Sequence, residues 1–533
     1  MPSSTPPSSP PAVSSTAESR AVLRRLVGIS PAIAISIAYL VVRPASKDFA
    51  SGDFRARLFG DGAYIWNLHW FGGHPLPGYG IISPMLGAWF GVVPVSIGSM
   101  LVAAWCFAVI LERCTSSSTT VYTPTLGAML FSIGCGLSLW GGRLTFGPAV
   151  AFGCISVLCL QRKRRVAAVV AAGFCGLSSP VGALSLAIVA TACWAARTFP
   201  RRDLALVGAA AVVPPTIVGL AFPEGGWYPF PSGSFLMLAI ALAFIGWFGR
   251  RMATVRLLVI VYALVATAAF AVRSPLGGNI VRLAWLAAAP AATVTVTRFR
   301  RTLLPLFVAV TMTWGWSYVK LGFQPAAASA SSAYYDPLAA FVLGQPGVQR
   351  VEVVPTESFG QADRLALEIN IARGWETQLD RALNPEFYDH LTAATYHEWL
   401  LRNSVSLVAL PTSGVQPSSD NERSVIRSAP DYLDLVWSTP DWRVFRVTDA
   451  APLADNGTTI KAVGTQTLTI EASRTGTTTV RFRYSRWFRV TTGSACIESS
   501  PDGWLSLRVD SPGTIVLDAS FSLANAVSVS RCS

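Results

Sequence analysis

Charged side chains are scarce in this chain. Lys, Arg, Asp and Glu make up 13% of its 533 residues, whereas hydrophobic residues make up 52%, and the mean hydropathy is +0.46. Soluble domains carry about 25% charged residues, so this composition excludes an ordinary soluble enzyme. It predicts a polytopic α-helical membrane protein.

Signature motifs of common enzyme classes are missing from the polar part of the chain after Lys320. This part has no GxSxG nucleophile elbow, no HExxH zinc helix, no phosphate-binding P-loop and no glycine pattern of a dinucleotide-binding fold. The apolar part has almost no acidic residues and no convincing internal repeat, whereas both are typical of ion-coupled transporters. These absences disfavour coupled transport.

Apolar segments dominate the chain up to Lys320. Most have roughly 15 to 19 residues, close to the length that crosses a bilayer as a helix. The sequence therefore predicts about eleven membrane spans. They lie near residues 26–42, 94–111, 123–140, 144–160, 166–178, 181–196, 204–222, 234–248, 257–272, 283–297 and 303–319. The segment 166–194 is too long for one span and predicts a hairpin that turns at Ser178–Pro180.

Arginine clusters predict the orientation of these spans, because short loops rich in Lys and Arg stay cytoplasmic. With the N-terminus inside, Arg24–Arg25, Arg162–Arg165, Arg201–Arg202 and Arg250–Arg251 face the cytoplasm. An odd number of spans then places the chain after Lys320 outside. The net charge of +13 is spread over such loops, which argues against a nucleic-acid partner. We expect a multi-pass plasma-membrane protein with an extracytoplasmic C-terminal domain.

Shifts in composition divide the chain into parts. Residues 1–25, rich in Ser, Pro and Thr, predict a disordered cytoplasmic tail. Residues 26–320 predict the transmembrane domain, whose first outer loop spans 43–93. Alternating helix and strand patterns then predict an exported α/β region over 321–450, and short alternating runs predict an exported antiparallel β-sandwich over 451–533.

Two of the nine cysteines differ from the rest in position. The other seven lie in or beside apolar segments without a CxxC pair, and we interpret them as packing residues. Cys496 and Cys532 lie in the exported tail, where an oxidising environment permits a disulfide. The sequence favours this bond, with two free thiols as the alternative.

A polar and aromatic stretch follows the first apolar segment. Its pattern GDFRARL, followed by WNLHWFGGHPLPGYGIISP at Trp66–Pro84, resembles the first outer loop of large actinobacterial and other bacterial membrane proteins related to GT-C-type glycosyltransferases. Ala372–Pro411 is similar to the exported segment of the same proteins. The resemblance covers both ends of the chain and its layout, while the middle segments match only in hydropathy. It implies a GT-C-like fold.

The resemblance also implies a reaction. GT-C enzymes usually take a sugar from a polyprenyl-phosphate donor, use an Asp or Glu of the first outer loop as base, and admit the acceptor from the outer side. Matched onto this chain, the base candidates are Asp53 in GDFR and Asp48 just before it. The chain lacks the Asp-Asp or Asp-x-Asp pair that is common in metal-using members. This absence argues against metal dependence, and a divalent metal ion stays an open cofactor candidate.

Asp53 is the preferred base because Arg55 and Arg57 flank it and could neutralise a lipid phosphate. The alternative is that Asp53 only pairs with these arginines to order the loop. Asp61, between Gly60 and Gly62, is a second catalytic or metal-binding candidate. The same glycine spacing also describes a turn that ends a helix.

Histidines and tryptophans of this loop are candidate substrate-binding residues. His69 and His74 flank a Gly-Gly turn and could join an acid around a divalent ion; alternatively, they order the loop through hydrogen bonds. Trp66 and Trp70 suit stacking against a sugar, although aromatic residues also gather at membrane interfaces regardless of function.

Two arginines complete the candidate substrate site. Arg143 and Arg282 lie near the outer ends of apolar segments and could bind a phosphate or pyrophosphate group. Because Arg282 begins an apolar segment, it must find a partner or reach the membrane interface. The alternative is that it extends toward lipid headgroups.

These observations favour a membrane glycosyltransferase that moves a sugar from a polyprenyl-phosphate lipid to a glycan or lipid acceptor of the cell envelope. Two other functions stay open at this stage. One is a non-catalytic factor in envelope assembly, and the other is a transporter or flippase of a lipid-linked intermediate.

Overall fold

A computed structural model describes residues 15–44, 46–64, 67–74, 80–115, 122–222, 226–296, 300–317, 328–520 and 532. Helices dominate the described chain up to residue 317. They are α1 (Ser15–Val42), α2 (Lys47–Gly60), α3 (Ile82–Phe90), α4 (Val92–Thr115), α5 (Tyr122–Trp140), α6 (Phe146–Gln161), α7 (Arg165–Ser178), α8 (Pro180–Ala196), α9 (Arg201–Ala221), α10 (Ser232–Phe248), α11 (Ala253–Ala271), α12 (Arg282–Thr295) and α13 (Arg300–Ser317).

The helices follow the apolar segments of the sequence. Every predicted segment overlaps one of the helices α1 and α4 to α13. Within the described ranges, four helices are long and apolar enough to cross a membrane, and five further apolar helices are shorter. The chain is therefore a membrane protein, while the number of about eleven spans remains a prediction. Helix α1 begins at Ser15, inside the segment predicted as a disordered tail.

A proline separates helices α7 and α8. Helix α7 ends at Ser178, Ser179 is extended with φ −160° and ψ 128°, and Pro180 begins α8. The proline ring disfavours helical backbone at the preceding residue, and proline is well tolerated at the first position of a helix. The break lies where the sequence predicts a hairpin turn.

Part of the first outer loop is helical. In α2, Asp48 lies in the first turn and Arg57 in the last, which complements the helix dipole. Asp53 and Arg57 form an ion pair one turn apart, and such pairs stabilise helices. The backbone leaves the helix at Asp61, and Gly62 then takes a φ of +78°. Several polar candidates therefore lie on a short helix rather than in an irregular loop.

A mixed sheet organises the α/β region that follows the apolar helices. Its strands are β1 (Arg350–Val353), β2 (Asn370–Ile371), β3 (Leu407–Pro411), β4 (Leu433–Ser438) and β5 (Trp442–Val447). Their order is β2-β1-β3-β5-β4, with β1 parallel to β2 and β3, and β5 antiparallel to β3 and β4. The accompanying helices are α14 (Asp336–Leu343), α15 (Gln361–Arg364), α16 (Thr377–Leu383), α17 (Ala393–Arg402) and α18 (Asp420–Arg427).

Two antiparallel sheets share one core in the C-terminal β region. Their strands are β6 (Thr458–Val463), β7 (Thr467–Ala472), β8 (Gly476–Arg483), β9 (Arg489–Thr492), β10 (Ala495–Ser499), β11 (Trp504–Val509) and β12 (Gly513–Asp518). The orders are β10-β11-β8 and β6-β7-β12-β9. Alternate residues such as Ile470 and Leu507 fill the core, as in a β-sandwich. A disulfide joins Cys496 and Cys532. The expected sequence of apolar helices followed by a C-terminal β region is confirmed.

Residues 67–74, which we call the wedge segment, are inserted into both the α/β region and the β-sandwich. Leu68 packs in the core of the β-sandwich, whereas Trp70 packs in the core of the α/β region. The main-chain N–H of Ile371 in strand β2 donates to the carbonyl oxygen of His69 at 2.9 Å. The chain segment after α2 is therefore a structural part of the C-terminal domain.

Replacing Trp70 with alanine is expected to lower the free energy of unfolding by about 3–5 kcal/mol, because the cavity left in a packed core cannot close fully. The Trp70 ring is buried and stacks on Phe54 with 4.5 Å between ring centroids. Trp89→Ala is the matched control, since Trp89 is 61% exposed. Denaturant unfolding of the purified protein in detergent measures both changes, and equal losses would contradict the role given to the wedge segment.

Candidate functional site

Two neighbouring cavities share helix α16 as a wall. One has a volume of about 520 Å³ and a mostly apolar lining, and we call it the apolar cavity. The other has a volume of about 340 Å³ and many polar side chains, and we call it the polar cavity. Gln378 lines the apolar cavity, whereas Thr377, Asp380 and Arg381 of the same helix line the polar cavity.

Helix breaks shape the apolar cavity. Its walls include Leu177 and Pro180 at the break between α7 and α8, and Pro214–Pro215 inside α9. A Cβ atom on Gly176 would lie 2.2 Å from the carbonyl oxygen of Ala211, so only glycine allows α7 and α9 to approach this closely. The resulting lining suits a hydrocarbon chain rather than a polar ligand.

Arg373 is the centre of a buried charge cluster at the polar cavity. Its Nε lies 3.3 Å from Oε1 of Glu352 and 3.7 Å from Oδ1 of Asp380, and its Nη1 lies 3.6 Å from Oε2 of Glu422. The guanidinium carbon is 3.9 Å from the centroid of the Phe387 ring. Three carboxyl groups thus surround one guanidinium group.

Burial raises the pKa of two carboxyl groups in this cluster. The pKa of Glu352 lies well above its ordinary range and the pKa of Glu422 is also raised, against the opposing charge of Arg373. The Tyr396 hydroxyl donates a hydrogen bond to Oε1 of Glu422 at 3.1 Å.

Helix α2 supplies the polar cavity with an acid. Asp48 lines the cavity, together with Tyr228 from the segment before α10. Glu376, which also lines it, is buried and pairs with the buried Arg55 of α2. The backbone of Glu376 has a φ of +126°, which residues other than glycine rarely adopt, so the surrounding contacts hold a strained conformation here.

The structure places Asp53 and Asp61 away from both cavities. Oδ2 of Asp53 is 2.5 Å from Nη2 of Arg57, and that nitrogen is 3.8 Å from Oδ1 of Asp363. Asp61 is exposed at the C-terminal end of α2. Asp48 and Asp53 are five positions apart, about 140° around the helix axis, so they lie on different faces of α2. Of the two base candidates, Asp48 is the one at a described cavity.

The structure buries His69 and half-buries His74. Nδ1 of His69 lies 2.9 Å from the carbonyl oxygen of Ala366 in the α/β region, and its Nε2 lies 3.3 Å from that of Val463 in the β-sandwich. Burial lowers the pKa of His69, and burial with the charge of Arg483 lowers the pKa of His74 to about 4. Both rings are therefore neutral, and His69 bridges the α/β region and the β-sandwich.

Of the two candidate tryptophans, the structure describes Trp70. Nε1 of Trp70 donates to the carbonyl oxygen of Ala362 at 3.0 Å, and the buried ring presents no face to a sugar. Trp66 lies outside the described residues.

Over the described ranges of the chain, no group of three or more His, Cys, Asp or Glu side chains is placed to hold a metal ion.

Of the two candidate arginines, Arg282 lies near one wall of the apolar cavity, whereas Arg143 lines a separate small cavity. Nη2 of Arg282 donates to Oδ1 of Asn279 at 2.7 Å, and Asn279 lines the cavity. The guanidinium carbon of Arg282 is 5.5 Å from the Phe146 ring centroid, and that of Arg143 is 4.4 Å from the Trp285 ring centroid. Arg282 is thus one hydrogen bond away from the cavity wall.

Sequence reasoning missed Arg373, Asp380 and Tyr388, which the structure brings to the polar cavity. All three lie in Ala372–Pro411, the segment that carries the resemblance. A usable signal was the concentration of arginine, acidic and aromatic side chains over a short stretch after Ala372. The sequence could not show that this stretch faces Asp48, because that contact depends on how the C-terminal domain packs on α2.

Protonation of His74 should oppose folding. Its pKa is about 4 in the folded chain against an ordinary 6.5, so between these values the unfolded chain binds more protons. The stabilisation is complete above 6.5 and is lost as the pH falls toward 4. His74→Gln should flatten this decline. Denaturant unfolding of both proteins between about pH 7 and pH 4 measures it; parallel curves would contradict a neutral His74.

Comparison with known proteins gives a distant structural likeness. No family model and no curated protein matches the chain. A crystal structure of ArnT from Cupriavidus metallidurans in the apo state shares 16% identity and a TM-score of 0.46, covering 82% of this chain and 99% of that one. The same protein bound to undecaprenyl phosphate shares 13% identity and a TM-score of 0.42, covering 82% and 98%.

This likeness is distant in both sequence and structure. At such low identities and TM-scores, it carries no argument about the reaction of this chain. The functional conclusion therefore depends on the cavities and on the side chains that line them.

Proposed function

We propose that this protein is a membrane glycosyltransferase that moves a sugar from a polyprenyl-phosphate donor to a glycan or lipid acceptor on the outer face of the plasma membrane. The observation that supports it most is the shared wall at α16, where the apolar cavity adjoins a polar cavity lined by Asp48. A lipid-linked sugar requires a hydrocarbon site and a polar site side by side.

In the proposed reaction, a hydroxyl group of the acceptor attacks the anomeric carbon of the donor sugar. Asp48 accepts the hydroxyl proton as general base. A new carbon–oxygen bond forms, and the bond between the anomeric carbon and the phosphate oxygen breaks. The electron pair of that bond leaves with polyprenyl phosphate. Asp48 suits this role because it lies in the first turn of α2, where the positive end of the helix dipole favours a carboxylate.

The other candidate residues have the following roles in the proposed reaction. Arg282 would interact with the leaving phosphate, because its hydrogen bond to Asn279 places it beside the apolar cavity. The α/β region would hold the acceptor, since its residues form most of the polar cavity. We leave His69, Trp70 and Asp53 out of the substrate site because other contacts occupy them. The N-terminus would be cytoplasmic, as the arginine-rich loops predict.

The transferase proposal is tested by replacing Asp48. Asp48→Asn removes the proton acceptor while keeping the size of the side chain, and we expect sugar transfer to fall by about 10²- to 10⁴-fold. Asp53→Asn is the matched control on the same helix and should retain activity. Mass spectrometry of envelope glycans and lipid-linked sugars would compare a deletion strain restored with each variant at equal membrane abundance.

The expected result is a sugar that is missing from the deletion and from Asp48→Asn, with its polyprenyl-phosphate donor accumulating. Full restoration by Asp48→Asn would exclude Asp48 as the base. A deletion that leaves every envelope sugar in place would exclude the transferase and favour a non-catalytic role in envelope assembly. Accumulation of the donor on the cytoplasmic face alone would favour a flippase.

A further inference from the structure

Arg381 differs from the other arginines that contact the residues of the polar cavity. Arg55 pairs with Glu376, and Arg373 is surrounded by carboxyl groups. Arg381 is half-buried and, among the residues that the structure describes, contacts aromatic rings and forms no ion pair. A cation that lines a cavity without a carboxylate partner is a candidate to bind an anionic ligand.

Aromatic stacking fixes the orientation of this guanidinium group. Its central carbon lies 4.1 Å from the centroid of the Tyr388 ring and 4.7 Å from that of Trp227. Stacking occupies the faces of a guanidinium group and leaves its N–H edge available for hydrogen bonds. An edge held in this way is preorganised for the two oxygens of a phosphate or carboxylate.

One donor of Arg381 has no acceptor. Its Nε is buried and has no hydrogen-bond partner among the described residues. A buried donor without an acceptor is unfavourable, so a ligand or a water molecule must supply one. Arg381 thus combines an unmet hydrogen bond with an unpaired charge at the wall of the polar cavity.

Arg381 is not needed to balance the negative charge of Asp380. The carboxylate of Asp380 accepts hydrogen bonds from the Tyr388 hydroxyl at 2.6 Å and from Nδ2 of Asn384 at 2.8 Å. Arg373 adds a positive charge at 3.7 Å. The carboxylate therefore already has its partners, and Arg381 forms no ion pair with it.

A second arginine approaches the same ring. The guanidinium carbon of Arg273 is 5.0 Å from the Trp227 ring centroid, and Arg273 is exposed. Two cations beside one tryptophan repel each other, and an anion between or beside them would relieve that repulsion. The local charge therefore favours the same class of ligand as the geometry of Arg381.

The position of Arg381 relates the ligand to both cavities. Gln378 is on the same helix and lines the apolar cavity. The segment that carries Trp227 lies directly on this helix, since a Cβ atom on Gly226 would be 1.8 Å from the carbonyl oxygen of Gln378. A ligand with a hydrocarbon chain in the apolar cavity would bring its headgroup to this place.

We propose that Arg381, stacked on Trp227 and Tyr388, is an oxyanion-binding residue of the polar cavity that takes a phosphate or a carboxylate. The oxyanion has two sources: the phosphate of a polyprenyl lipid, or an anionic group on a soluble or acceptor ligand. The inference depends on the proposed function only in naming the lipid, because binding requires no sugar transfer.

The test compares ligands that differ only in the phosphate. Full-length protein in detergent is titrated with undecaprenyl phosphate and with undecaprenol, and native mass spectrometry gives both dissociation constants. Inorganic phosphate is added as a competitor in a second series. A charge-assisted hydrogen bond corresponds to about a tenfold to hundredfold preference for the phosphorylated lipid.

Three variants make the comparison specific. Arg381→Gln removes the charge, and Arg427→Gln makes the same change at an exposed arginine at the end of α18. Arg381→Lys keeps the charge but removes the planar guanidinium edge. It replaces Arg381→Gln as the test variant if Arg381→Gln does not fold. Thermal unfolding of each variant shows which proteins are folded before binding is measured.

Loss of the preference for undecaprenyl phosphate in Arg381→Gln, but not in Arg427→Gln, identifies the lipid phosphate as the oxyanion. If Arg381→Gln loses competition by inorganic phosphate but keeps the preference for undecaprenyl phosphate, the oxyanion belongs to a soluble or acceptor ligand. An unchanged preference and unchanged competition in folded Arg381→Gln or Arg381→Lys overturns the proposal. A protein that binds phosphate through Arg381 yet transfers no sugar would keep this inference and lose the proposed function.

Discussion

Burial of the wedge segment, residues 67–74, is the constraint on which the rest of the structure depends. Leu68 is part of the β-sandwich core, and Trp70 is part of the α/β core. The same stretch of chain follows α2, which follows the first apolar helix. The C-terminal domain therefore cannot move away from α2 without exposing large apolar side chains to water. This anchoring fixes where the side chains of the C-terminal domain meet the apolar helices.

Polar contacts complete this anchoring beside the polar cavity. Arg55 and Glu376 form a buried pair, and losing one member of such a pair costs about 3–5 kcal/mol. Because Arg55 and Asp48 are on the same helix, the pair also fixes the position of Asp48 at the cavity. Gly226, with a φ of +76°, lies against helix α16 so closely that no side chain would fit. Helix α16 is thus held from both sides, and it separates the apolar cavity from the polar cavity.

Much of the fold could be predicted from the sequence, because segment length and hydropathy are local properties. The break at Ser179 follows from Pro180, and the alternating strands of the tail follow from their two-residue period. The site could be predicted only in part. The sequence favours Asp53 as base because Arg55 and Arg57 flank it, with pairing to these arginines as the alternative. That Asp48 lines the polar cavity depends on long-range packing against α2, which the sequence does not show. The burial of His69 and the stacking of Arg381 on Trp227 depend on contacts between residues far apart in sequence, and no local sequence pattern indicates such contacts.

A structure determined by cryo-electron microscopy with undecaprenyl phosphate at saturation would show whether the apolar cavity binds the lipid. We expect isoprenoid density in the apolar cavity, between the helix break at Ser179 and Pro214–Pro215, with the phosphate ending beside α16 on the side of Asp48. Lipid bound elsewhere on the protein, with the apolar cavity closed or filled by side chains, would contradict it.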